Sequence, residues 1–73
     1  MRELWLKGER NAERLRHEGR RIIESEPLVQ KVDYFSIADA ATLEELEVVD
    51  RPALVSTTAR IGRAILIDNI ILG

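Results

Sequence analysis

The chain has 73 residues, no cysteine, one histidine and a net charge of −2, with 45% hydrophobic and 33% charged residues. That bounds it to one small domain, in which folding buries only about 60–65% of the surface the unfolded chain exposes; a disulfide framework, a thiolate metal centre and a multi-histidine zinc site are excluded. The near balance of 11 basic and 13 acidic residues supplies no bulk attraction to nucleic acid or an anionic membrane.

The N-terminal MRELWLKGERN is charged at its second and third residues and has no apolar stretch or small-residue cleavage site of the secretory kind. The stub Arg2–Lys7 offers Leu4, Trp5 and Leu6, too few to hold a helix alone, and reads as the last turns of an element that began before Met1. Gly8 separates it from a helix over Glu9–Glu24. There Ala12, Leu15, Gly19, Ile22 and Ile23 recur at spacings of three and four and share one face. Arg14–Glu18 and Arg20–Glu24 stand at i, i+4 on the other side, pairs worth a few tenths of a kcal/mol each. Pro27 disfavours helix at Glu26 and ends the element at about Glu24 or Ser25.

Beyond Pro27 the pattern is that of strands, and the charge changes with it, from +1 over residues 1–26 to −3 over residues 27–73. Val32–Ala38 is rich in β-branched and aromatic residues. Residues 39–46 read as a turn leading into a short helix, because Thr42 and Glu45 have capping-box spacing. Pro52 suits the start of a strand, and Ala53–Ile61 then alternates, with Val55, Thr57, Ala59 and Ile61 facing one way. Gly62-Arg63 has glycine first, as a type II′ hairpin turn requires, and Ala64–Leu72 returns. The expected fold class is α+β: a three-stranded antiparallel sheet packed against an N-terminal helix, with a short connecting helix. The last strand has Ile65, Ile67 and Ile71 on one face and Leu66, Ile70 and Leu72 on the other. One helix covers one face of a sheet, so the other needs the stub, a second copy or a further domain. The aliphatic run Ile65–Leu72, broken by Asp68 and Asn69, is far short of the roughly 20 residues of a membrane span; a cytoplasmic location is the expectation.

No catalytic, cofactor-binding or metal-binding residues assemble. Asp39, Glu44, Glu45, Glu47 and Asp50 fall within a stretch free of Lys and Arg, but their spacing does not match a calcium loop, and they read as a solvated acidic loop. Arg10, Arg14 and Arg21 lie along one side of the helix with Arg16 and Arg20 near; glutamates interleave with them, giving a mixed-charge solvent face rather than a phosphate stripe. His17, within reach of Glu13, has no nucleophile beside it. Ser56, Thr57 and Thr58 have neither base nor orienting acid, so no triad forms. Gly8, Gly19, Gly62 and Gly73 are isolated, so there is no phosphate-cradling loop.

Asp33-Tyr34, Ile37, Asp39, Thr42-Leu43, Arg60-Ile61-Gly62 and Leu66-Ile67-Asp68-Asn69 match, in order and spacing, the "DY…I.D..TL" segment and the "R-I-G-x-x-R-L-I-D-N" hairpin. In these the chain resembles the C-terminal domain of the pantoate–β-alanine ligase (pantothenate synthetase) family. Gly8-Glu9-Arg10 resembles that family's loop between two helices; Ile65 departs from the pattern, standing where the hairpin usually carries a basic residue. The resemblance implies that residues 1–73 are the C-terminal lid domain of a cytoplasmic, ATP-dependent ligase that joins D-pantoate to β-alanine through a pantoyl-adenylate with Mg²⁺. It also implies that the Rossmann-like N-terminal catalytic domain, with its HIGH-type and KMSKS-like segments, lies outside this piece, so that no site residue carries over and the piece alone is inactive. The expected partners are that N-terminal domain and, for the separate piece, a second copy, with no nucleic acid and no membrane. The alternative is an autonomous protein–protein interaction module that binds through its apolar sheet face or edge. Asp68 and Asn69 are expected to hydrogen-bond at the hairpin or at the domain junction.

Overall fold

The computed structural model describes all residues, Met1–Gly73, as two helices followed by three strands: α1 (Arg2–Leu6), α2 (Ala12–Glu24), β1 (Lys31–Asp39), β2 (Ala53–Ile61) and β3 (Ala64–Leu72). The sheet is antiparallel with order β1-β2-β3, as the α+β reading expects. No helix is long and apolar enough to cross a membrane.

Helix α2 begins later than the periodicity suggests. Asn11, extended, caps it by accepting a 3.0 Å hydrogen bond from the Arg14 amide. Residues before it are drawn away from helix: the Arg10 carbonyl accepts from the Val49 amide at 2.8 Å, and Glu47 accepts from the Ala12 amide at 2.9 Å. Gly8 makes the preceding turn possible at φ +107°. The C-terminal end falls at Glu24, where Pro27 placed it.

Inward residues of β2 alternate as read from the sequence: Ala53, Val55, Thr57 and Ala59 are buried, and Ile61 is half-buried. A two-residue loop joins the Ile61–Ala64 pair. Gly62 sits at φ +60° while Arg63 keeps a negative φ, which fits type II′ and excludes type I′. In β1 the register shifts between Val32 and Tyr34, so Asp33 forms a bulge. Its carboxylate meets Arg60 at 3.4 Å and Lys31 at 4.0 Å.

The core lies between α2 and the sheet: Ala12, Leu15, Ile37, Ala53, Val55 and Leu72, joined by Leu46 and Val49. The last two come from the connection between β1 and β2, where the expected short helix does not form. Asp39 Oδ1 instead accepts from the Ala41 and Thr42 amides at 2.7 and 3.1 Å, an Asx turn that competes with helix. Leu43 follows in the left-handed region at φ +65°, closed to a growing α-helix. Thr42 Oγ1 accepts from the Glu44 amide at 3.3 Å, so the capping-box spacing serves a turn. Glu45 then bridges Ala38, the Leu46 amide donates to the Ile37 carbonyl at 3.0 Å, and the connection covers part of the β1 edge.

The helix surface also differs from its expected pairing. Arg20–Glu24 is present at 3.3 Å, but Glu18 pairs with Arg21 rather than Arg14, and Arg14 reaches Glu9 at 2.9 Å. Two arginines reach from the helix to backbone carbonyls of the sheet and its connection. Arg20 donates to the Val32 carbonyl at 2.8 Å; Arg16 donates to the Ile37 and Leu46 carbonyls and to Glu45.

Gly19 faces the ring of Phe35 so closely that an added Cβ would lie 2.3 Å from Phe35 Cζ. Alanine there should gain up to about 1 kcal/mol of helix propensity, yet overpacking of this kind costs about 1–3 kcal/mol. Gly19→Ala is expected to lower the thermal midpoint, and a rise on calorimetry would show that the ring moves aside freely.

Candidate functional site

Three carboxylates of the acidic connection are engaged by neighbouring groups of the chain. Asp39 is occupied by its turn and by Arg51 at 3.5 Å, Asp50 by Arg51 at 2.6 Å, and Glu45 by Arg16 and by the Ser36 hydroxyl, which donates to it. No group of three His, Asp or Glu side chains converges anywhere on the chain. The amides of Thr42 and Ala41, with Arg51, hold the Asp39 carboxyl below the usual carboxylate range; hydrogen bonding to Arg51 does the same for Asp50, and Arg21 for Glu18.

Because the folded value of Asp39 is depressed, its contribution to stability is complete above the unfolded value near 3.9. It is lost as pH falls through the lower folded value. Asp39→Asn is therefore expected to lower the melting temperature at pH 7, and the gap to the parent chain should close in acid. Parallel melting curves from about pH 6 to pH 2 would show that the Asp39 charge does not hold the turn.

The other candidate residues are dispersed. Thr57 is buried and donates to the Tyr34 carbonyl at 2.8 Å, while Ser56 and Thr58 point to the opposite face of β2. His17 forms no side-chain hydrogen bond or ion pair and lies on α2, away from these hydroxyls. Arg10 stacks over Trp5 at 4.6 Å and donates to the Trp5 carbonyl. Asp68 pairs across the ladder with Thr57, and Asn69 with Ser56. Neither side chain is hydrogen-bonded within the chain, contrary to the expectation for the hairpin.

What the fold does build is a largely apolar groove on the helix side of the sheet, about 170 Å³ in volume. Helix α2 supplies Gly19, Ile22 and Ile23 as one wall; Phe35, Val55, Thr57, Asp68 and Ile70 form the floor; Met1 closes one end. It exists because α2 packs over β1 and leaves the inner side of β3 open: Leu72 is buried, Ile70 is half-buried, and Leu66 and Asp68 are exposed. Met1 lies on this same side, so the stub does not shield the outer face, where Ile65, Ile67 and Ile71 stand in solvent. Strand β3 is thus open on its outer face, along its free edge and over the Leu66–Asp68 part of its inner face. The sequence carried that signal in the doubly apolar strand, but not the position of the groove.

The family model for pantoate-beta-alanine ligase matches residues 1–71. Among curated relatives, the chain is similar to the pantothenate synthetases of Roseiflexus sp. strain RS-1 (47% identical over 70 residues), Thermotoga petrophila (44%) and Roseiflexus castenholzii (49%). Each match covers 96% of this chain and 25% of the relative, so the chain spans about a quarter of the length of these proteins.

Proposed function

This chain belongs to the pantoate–β-alanine ligase family, and from that premise we propose that it works as the C-terminal domain of an ATP-dependent ligase condensing D-pantoate with β-alanine through a pantoyl-adenylate. The match over residues 1–71 at a quarter of the relatives' length carries the reading. The lid role draws on chemistry: an acyl-adenylate hydrolyses readily, and a small domain closing over it excludes water. A domain that closes on another needs an apolar surface of its own, and the open groove and outer face of β3 are such surfaces.

The residues present do not fit ATP or Mg²⁺. The chain has isolated glycines and no convergent carboxylates, so in this reading both are held by the remainder of the protein. Its site is cytoplasmic, where this biosynthetic chemistry belongs. No observation favours the autonomous interaction module.

The deciding comparison is between the full-length protein and the same protein ending before Met1. The first should consume ATP only with both D-pantoate and β-alanine present; the second should lose at least about a hundredfold in rate. Titration calorimetry of residues 1–73 with ATP or D-pantoate should give no binding heat, and micromolar affinity would place a site within this piece. Separated from its partner, the chain should self-associate through β3. A strict monomer in sedimentation at about 100 µM, far above a typical transient dissociation constant, would show that the exposed isoleucines are not adhesive.

A further inference from the structure

We infer that Asp68 keeps β3 from pairing edge to edge with the β3 of a second copy, because its carboxylate stands where the longest such pairing would bring two of them together. One charge guards the free edge of the sheet.

The need for a guard follows from the topology. Strand β3 ends the sheet order β1-β2-β3, and its nine residues present an edge of about 30 Å. The opposite edge, on β1, is partly covered: Glu45 bridges Ala38, and the Leu46 amide donates to the Ile37 carbonyl. Nothing in the chain does this for β3. The strand reads AILIDNIIL, with no Lys, no Pro and no bulge, the usual means of blunting an edge. A bare aliphatic edge of this length is a template for another copy.

The ladder decides which residues face that edge. The Arg60 carbonyl accepts from the Gln30 amide, so even-numbered residues of β2 turn their backbone groups to β1 and odd-numbered ones to β3. Through the pairing of Ile61 with Ala64 and of Thr57 with Asp68, Ala64, Leu66, Asp68, Ile70 and Leu72 bond to β2. Ile65, Ile67, Asn69 and Ile71 are left with free amides and carbonyls.

An antiparallel partner satisfies all of these only in the register that sets Ile65 against Ile71 and Ile67 against Asn69. Asp68, the middle residue of β3, then faces the same residue of the other copy across the two-fold axis. The two form a non-hydrogen-bonded pair, the closer kind, with Cα atoms about 4.5 Å apart. The next allowed register on either side loses one hydrogen-bonded pair. It still leaves the two carboxylates on one face as diagonal neighbours, about 7–8 Å apart. Asp68 is the one charged residue lining the groove, and it has no ion-pair partner to neutralise it. Like charges so placed repel. The self-association expected of the separate piece is then left to the outer isoleucines and stays weak.

The test compares Asp68→Asn with the parent as full-length proteins, by sedimentation across concentration and by hydrogen exchange. Asparagine keeps the shape and removes the charge. Asp68→Asn is expected to associate at least about tenfold more tightly than the parent. The amides of Ile65, Ile67, Asn69 and Ile71 should gain protection as the complex forms. Asp68→Glu, which keeps the charge, should behave as the parent does. Adding Asn69→Pro to Asp68→Asn removes one edge amide without touching the bonds to β2, and should abolish the gain. An Asp68→Asn protein no more associative than the parent would overturn the inference. So would a gain that Asp68→Glu shares, that survives Asn69→Pro, or that leaves these amides unprotected, since association would then run through the outer face. Protection of the same amides in the dilute parent would show another part of the protein seated on the edge, and would overturn it as well.

Discussion

Ile37→Ala is expected to remove about 2–5 kcal/mol of stability, while Ile67→Ala, one strand-pair away from the middle of the same sheet, should change it by less than about 0.5 kcal/mol. Ile37 is fully buried in the centre of β1, opposite Val55 and against the core shared by Leu15 and Leu46. Removing three carbons there loses their transfer energy and leaves a cavity that the strand, hydrogen-bonded on both edges, cannot collapse. Ile67 is 67% exposed, so truncation opens no cavity. A domain of this size has about 4–11 kcal/mol in total, which makes the first change close to unfolding at 37 °C and the second nearly invisible. Urea midpoints of the two variants decide the matter; comparable losses would mean that the outer face of β3 is buried in solution, by self-association, and the Ile67 loss would then vary with protein concentration.

The strands were legible because their signals are local. A period of two, β-branched residues and a glycine at the first turn position act within a few residues of one another, and Pro27 acts on its neighbour. The connection between β1 and β2 was not. Thr42 and Glu45 have the spacing of a capping box, but two competitors settle the backbone instead. Asp39 captures the next amides, a local signal that could have been weighed. Arg16 captures Glu45 from 29 positions away, which no window on the sequence contains. The groove is a third case. Its walls, Ile22 and Ile23, were on the helix face that the periodicity predicts, but its position depends on α2 packing over β1 rather than β3. The open surfaces of β3 were half readable, as a strand with too many isoleucines.

Arg16→Met is expected to cost about 2–4 kcal/mol, more than any surface arginine should. The side chain is only 17% exposed, and its guanidinium donates to the Ile37 carbonyl at 3.3 Å, the Leu46 carbonyl at 2.5 Å and Glu45 at 2.7 and 3.1 Å. Those bonds hold the connection onto the edge of β1 and with it Leu46 and Val49, which complete the core. Methionine keeps most of the apolar stem but leaves the carbonyls and the Glu45 carboxylate short of a donor. The penalty of an unmade bond to a covered acceptor exceeds the small net worth of the bond itself. Arg16→Met with Glu45→Gln should therefore cost less than the two single changes added, with a coupling of about 0.5–3 kcal/mol. Hydrogen exchange separates a clamp from a mere contact: amides of Glu45–Val49 should lose protection well before those of β2. If Arg16→Met melts within about 2 °C of the parent and those amides stay protected, the loop is held by Leu46 and Val49 alone. The arginine would then be a solvent-face residue, as the helix pattern suggests.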